Sequence, residues 1–431
     1  MALKHIGCGL IILLFLWSVS SEAYVISNNA HVTLSEEYND NLYLASENEV
    51  DDFITIISPG LRSEIRWQRT GLNAAYDLGY SMYDTYSEND SFRHHADLGW
   101  WWDMFQSTQL RLGDTFIKSE DLADLTLENN GQTNRNEFYS NSAHIDLDHR
   151  FGDRRNFSLG YSYNTLNNDS NLVEDNQSHH VTGSLSYFFT PWFGSETQFA
   201  YTKGLYDISQ NFDEWNGTFR LIKVISRHVE LNAAYSHTSM IWSGQGSESD
   251  YQVYHPSLGM SATFGDGGTL ALNAGYFVQD VDSRENNIGF TLGGDLGKSW
   301  TFRRGLIQVS ASSGYEESQL NTENLGFTVY YEGVTRFEYN FNREVSSSIS
   351  ATYRNNDYVN PAPGEPDRTD DTISGICRFN WRIKRWLGSS LEYRYRNRNS
   401  NVNADDFTEN RIMVSLTVTS DTRGGSGAAP Q

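Results

Sequence analysis

The sequence predicts an all-β, transmembrane, antiparallel up-and-down β-barrel of about 20 strands, or 16 to 18 if the weakest segments are not strands. Three observations predict it. Segments of roughly ten residues alternate apolar and polar positions along most of the chain. The connections between them alternate short and long. Aromatic residues, 14% of the 431 positions, gather beside the short connections. The mean hydropathy of -0.56 argues against a helical membrane bundle but not against a barrel, whose strands are apolar on one face only.

The first element is a leader. Lys4 and His5 precede the apolar run Gly9–Val19, and Ser21-Glu22-Ala23 places small residues before a cleavage point after Ala23. The run is too short to span a bilayer, so residues 1–23 are expected to be a secretory signal peptide. Cys8 lies before the run and is not placed for lipidation. The barrel is expected over 24–419 and a disordered tail over 420–431. Without the leader, Cys377 is the only cysteine, which excludes an internal disulfide. The leader takes one Lys and one Glu with it, so the net charge stays at -23, which argues against nucleic acid as a partner.

The strands follow. Phe157, Leu159, Tyr161 and Tyr163 alternate with Ser158, Gly160, Ser162 and Asn164. The same period of two runs through 229–236, 391–396 and 411–418. Short turns are expected near 68–71, 105–108, 151–156, 190–193, 225–228, 265–268, 298–304, 340–344 and 384–388. Longer loops are expected around 46–51, 85–91, 120–136, 166–178, 206–212, 242–250, 280–287, 317–324, 356–371 and 398–407. Nine short turns imply ten hairpins, with both termini on the periplasmic side. Trp100-Trp101-Trp102, Phe105, Phe188-Phe189, Trp192-Phe193, Trp300, Phe341, Trp381 and Trp386 form the expected periplasmic aromatic girdle.

If apolar positions face lipid, their neighbours face the lumen. That places Arg62, Glu64 and Arg66 inside, together with Arg378, Arg382, Arg394, Arg396, Arg398 and Arg411. Closure brings the first and last strands together, so these residues form one basic inner wall. It is either a track for an anionic solute or polymer, or a stiffening network of Arg with Glu64, Glu230 and Glu392.

The loops are rich in carboxylates: Asp121, Asp124 and Glu128; Asp169, Glu174 and Asp175; Glu365, Asp367, Asp370 and Asp371; Asp405, Asp406 and Glu409. None has EF-hand spacing, so solvated loops or divalent bridges to lipopolysaccharide are expected rather than a metal site. His94-His95 and His179-His180 are strand neighbours that point to opposite faces and cannot share a metal. No hydrolase, zinc-protease, phosphate-loop or C-x-x-C motif occurs, so neither an enzyme nor a cofactor is expected. With residues 24–30 alone before the first strand there is no plug; only loops such as 120–136 or 356–371 could narrow the lumen.

Two blocks carry a family resemblance. The first is Glu37-Tyr38-Asn39-Asp40-Asn41-Leu42 with Asp52-Phe53-Ile54 and Ser58-Pro59-Gly60-Leu61. The second is Trp386-Leu387, Tyr393-Arg394-Tyr395, Arg398-Asn399-Ser400 and Phe407-Thr408-Glu409-Asn410-Arg411. The chain resembles the putative β-barrel porin 2 family. The resemblance implies a Gram-negative outer-membrane barrel and, because many members accompany exopolysaccharide genes, an exit pore for a secreted polysaccharide working with a periplasmic export protein. Inward rings such as Phe277 are then expected to stack on sugars. Two other readings stand beside it: a general or anion-leaning diffusion porin for small solutes, and a structural or adhesive barrel whose acidic loops bind partners or lipopolysaccharide. Both blocks are expected to meet where the barrel closes.

Overall fold

The computed structural model describes residues 25–121, 137–170, 174–244, 250–265, 267–282, 286–302, 304–320, 323–359, 368–402 and 406–420. The expected leader and most of the expected tail lie outside them, as do 122–136 and 360–367 of the two long loops.

The chain forms one 20-stranded sheet closed on itself. In order the strands are β1 (Val25–Asn39), β2 (Asp52–Arg66), β3 (Thr70–Tyr83), β4 (Ser91–Phe105), β5 (Thr108–Ser119), β6 (Phe138–Gly152) and β7 (Arg155–Asn168). Then come β8 (Asn176–Thr190), β9 (Phe193–Tyr206), β10 (Asn211–Ser226), β11 (Val229–Ser243), β12 (Tyr251–Phe264), β13 (Gly268–Val281) and β14 (Asn287–Phe302). The last are β15 (Gly305–Leu320), β16 (Glu323–Asn340), β17 (Val345–Val359), β18 (Arg368–Lys384), β19 (Leu387–Ser400) and β20 (Phe407–Thr419). Each strand pairs antiparallel with its sequence neighbours. β20 then pairs with β1, from His31↔Thr419 to Asn39↔Arg411, and closes the barrel. Closure leaves no edge, which is what hydrocarbon demands of a backbone that cannot bond to water. The β14–β15 ladder is the exception in length, registering only Lys298–Phe302 against Gly305–Val309.

Alternation sets the two faces. On β2, Phe53, Ile57 and Leu61 are exposed outward, while Asp52, Ile54 and Ile56 point into the lumen and are buried. On β20, Ile412, Val414, Leu416 and Val418 form the matching outer row. Cys377 is also outward, opposite Ile349 and Tyr393. A 15-residue strand such as β1, rising ~3.3 Å per residue at a tilt near 40°, spans roughly 38 Å, more than the ~25 Å apolar band. The surplus lies at the long-loop end. There the outward positions turn polar: Lys118, Gln177, His179, Lys203 and Asp213.

The structure corrects four expectations. β1 begins at Val25, not after residue 30, because the lower half of β2 needs a partner and Val25–Ala30 pairs with Leu61–Arg66. The expected 317–324 loop is almost all strand, since β15 runs to Leu320 and β16 starts at Glu323. The 356–371 loop is likewise shortened from both sides by β17 and β18. Trp101 and Phe188 leave the girdle and face the lumen, because alternation cannot put neighbouring rings on one face. Trp102, Phe105, Phe189, Trp192, Phe193, Trp300, Phe341, Trp381 and Trp386 are exposed, consistent with the girdle.

Candidate functional site

The lumen differs sharply between its two ends. At the long-loop end, inward side chains of β16–β20 and β1–β4 are buried and tied into a belt of ion pairs. Arg411 on β20 is its crossing point: the guanidinium lies 2.6 Å from Glu37 on β1 and 2.5 Å from Asp121. Asp121 follows β5, so it reaches inward past β1–β4 to meet β20. Beside it, Glu120 accepts from Tyr83 Oη at 2.9 Å, Ser91 Oγ at 2.6 Å and Arg93 Nε at 2.9 Å. Burial alone would raise the Glu120 pKa; the Arg93 charge and the hydrogen bonds from Arg93 and Ser91 outweigh it and hold the carboxyl below its ordinary value.

The belt continues around the wall. Glu409 takes Arg396 at 2.6 Å and Asn39 Nδ2 at 2.9 Å. Asp370 takes Arg398 at 2.5 Å, Arg368 at 3.1 Å and Tyr358 Oη at 3.1 Å. On the opposite arc, β10–β13 fill the same level with Phe212, Met240, Tyr251, Val253 and Phe277. Phe277 does face inward. It is 6% exposed within this cluster and offers no free face to a sugar, which corrects that expectation.

The closure seam joins the two sequence blocks. Asp40 accepts from the Asn410 backbone at 2.6 Å and from its side chain at 2.7 Å, and Asn41 donates to the Thr408 carbonyl at 3.0 Å. These polar contacts fix the register of β1 against β20 at its outer end.

The expected arginines all lie on the inner wall, on one arc from β18 through β2. They do not form a free cationic strip. Arg378 and Arg394 share Glu392, Arg66 pairs with Glu64, and Arg382 donates to the Arg343 carbonyl. Arg62 is 68% exposed, with Asp77 at 4.0 Å. Glu230 takes no part in this arc; Arg154, in the β6–β7 turn, holds it at 2.6 Å and covers the Phe188 ring.

Sequence reasoning did not single out Arg93 or Glu120, it read Trp101 as part of the girdle, and it placed Asp121 in an acidic loop, 120–136, that it also named among those able to narrow the lumen. Glu37 and Glu409 lay within the family blocks and could have been found by applying the inward alternation to them. Among the described residues no cluster of three or more potential metal ligands occurs.

Known proteins agree with this architecture. A family described as "Putative beta-barrel porin 2" matches residues 24–177 and 254–420. No curated protein matches the chain. Among solved structures, the siderophore receptor PirA from Pseudomonas aeruginosa is 10% identical, with a TM-score of 0.50 over 91% of this chain and 80% of that one. That likeness supports the barrel fold. OccK2 (OpdF) from Pseudomonas aeruginosa is 10% identical, with a TM-score of 0.44 over 91% of this chain and 98% of that one. OccAB4 from Acinetobacter baumannii is 12% identical, with a TM-score of 0.41 over 91% of this chain and 98% of that one. With a family match over most of its length and a closed barrel clothed in apolar side chains, the chain belongs to the putative β-barrel porin 2 family and is a bacterial outer-membrane β-barrel porin.

Proposed function

We propose that the barrel is a diffusion porin for small hydrophilic solutes, with its selective barrier at the long-loop end. The observation that carries this reading is Asp121, drawn past four strands onto Arg411 with its neighbour Glu120 on Arg93. A wide polymer conduit needs an unobstructed cross-section, and a contact drawn from the end of β5 onto β20 works against one. Arginines and carboxylates alternate around the barrier, which suits polar solutes of either charge better than a polyanion. Conduction of exopolysaccharide is the second reading. The open periplasmic half favours it, and it requires Glu120 and Asp121 to leave the belt.

Single-channel conductance of the refolded chain in a planar bilayer tests both. The wild type is expected to conduct modestly, and Asp121→Ala to conduct several-fold more. No current through either folded barrel would overturn the porin reading in favour of a structural barrel.

A further inference from the structure

The wall is only partly laced between β14 and β15. Their ladder runs from the turn up to Lys298 and Val309. Above it, among the described residues, Asn287–Gly297 and Ser310–Leu320 register with nothing across the seam. Neither strand is frayed. Asn287–Lys298 stays registered with β13, and Ser310–Leu320 stays registered with β16. Two formed strand edges therefore face each other inside a wall that elsewhere has none.

Side chains on both faces record the gap. Phe290 and Leu292, outward on β14, are 85% and 75% exposed, the two highest values among the described large apolar residues. Val414, between two laddered neighbours on β20, is 50% exposed. The β15 backbone does not stand beside that outward row. Gly293 faces inward, opposite Asn273, and a Cβ on it would come within 3.1 Å of the Ser313 carbonyl oxygen. Thus β15 passes behind β14, and the Ser313 hydroxyl donates to the Leu292 carbonyl across the overlap. On the lumen side Phe277 stands opposite Gly289, and Val329 of β16 packs against the cluster that holds Phe277. Side-chain packing and a hydroxyl close the seam where a ladder does so elsewhere, and these can part without breaking a sheet.

The chemistry of the gap selects what can enter it. Hydrocarbon cannot pair an open backbone edge, so an occupant must bring polar groups to the rim. Ser310, Ser312 and Ser313 add hydroxyls on the β15 side, while β14 turns Phe290, Leu292 and Leu296 toward the acyl chains. A wholly hydrophilic solute does not suit that lipid face, and a wholly apolar one does not suit the rim. A molecule with a polar head and an acyl tail suits both. The gap begins five pairs above the β14–β15 turn, so such a head reaches the open half of the lumen without crossing the Arg411 belt.

We propose that the upper β14–β15 seam is a lateral portal: the polar head of an acyl-chain amphiphile passes through it between the outer leaflet and the lumen while the tail stays in the bilayer. The inference goes beyond the porin reading, since a diffusion porin needs no opening in its wall.

The test refolds the chain into vesicles that contain a phospholipid with a maleimide head. In a Cys8→Ser, Cys377→Ser background, Ser312→Cys puts a thiol on the lumen side of the gap. Thr115→Cys puts one inward on β5, across the barrel. Heat-modifiable gel mobility checks folding, a water-soluble maleimide checks that the thiols react, and Ser310→Cys serves as a second rim thiol. Mass spectrometry should find most rim-thiol chains lipidated and almost none of the Thr115→Cys chains. Lipidation of none of them overturns the proposal, because a sealed wall admits no head. Equal lipidation of rim and far wall overturns it too, because heads then reach the lumen by another route. Conduction without lipidation removes the portal and leaves the porin reading; lipidation of the rim without conduction does the reverse.

Discussion

Arg411 and Arg62 are both inward arginines on neighbouring arcs of one wall, yet they sit in different solvents. Arg411 is 9% exposed between two carboxylates, whereas Arg62 is 68% exposed with its carboxylate at 4.0 Å. Strand alternation gives both the same face. Position along the barrel axis gives them different roles: at the outer level the guanidinium holds a crossing together, and at the periplasmic level it lines a wet mouth. Chemical identity and face therefore do not assign a lumen residue its task; the depth at which the wall closes does.

The strongest way to break the comparison is to remove each cation. Arg411→Ala leaves Glu37 and Asp121 without it in a buried place, a loss on the order of 3–5 kcal/mol. Arg62→Ala removes a solvated side chain and should cost at most about 1 kcal/mol. Urea unfolding midpoints in lipid vesicles read the difference, and equal losses would refute the division into two levels.

A smaller effect comes from acid. Folding depresses the Glu120 pKa below its ordinary 4.5, so its ionised form contributes stability above that value. The contribution is lost as pH falls through the lower folded value, because a protonated carboxyl no longer answers Arg93. Conductance should therefore stay level from neutral pH down to 4.5 and rise only below it. A rise already complete near neutrality would assign the gate to another group.

The smallest expected effect is that of salt. Raising ionic strength from 0.1 to 1 M shortens the screening length from about 10 to about 3 Å. It should flatten any ion preference set at the open mouth by Arg62, Arg66 and Asp77 while the buried belt stays intact. Reversal potentials at both strengths, compared with the urea midpoints, separate the two levels.

Much of this was legible because a strand has a period of two. That period placed every named arginine inward and the 412–418 row outward. Applied strictly, it also puts Trp101 inside, since Trp100 and Trp102 flank it; reading the run as a girdle hid that. The loop of Asp121 was named among those able to narrow the lumen, but its partner Arg411 was not legible, because no periodicity governs a residue beyond a strand end. Nor was the burial of Phe277: alternation gives its face, but only β10–β12 at the same height supply the side chains that cover it. Glu230 was assigned to the wrong partner for a similar reason, since its cation comes from a turn four strands away.

Cys377 shows what exposure means in such a molecule. Its side chain is open to its surroundings, yet it projects from the outer row of β18. In place those surroundings are acyl chains, which carry neither hydrophilic oxidants nor alkylating reagents. The same sulfur that a detergent-free, misassembled chain would offer to any passing reagent is withdrawn by insertion alone. Among the described residues the protein thus carries its own tally of assembly, a thiol that vanishes from aqueous chemistry when the barrel has reached its membrane.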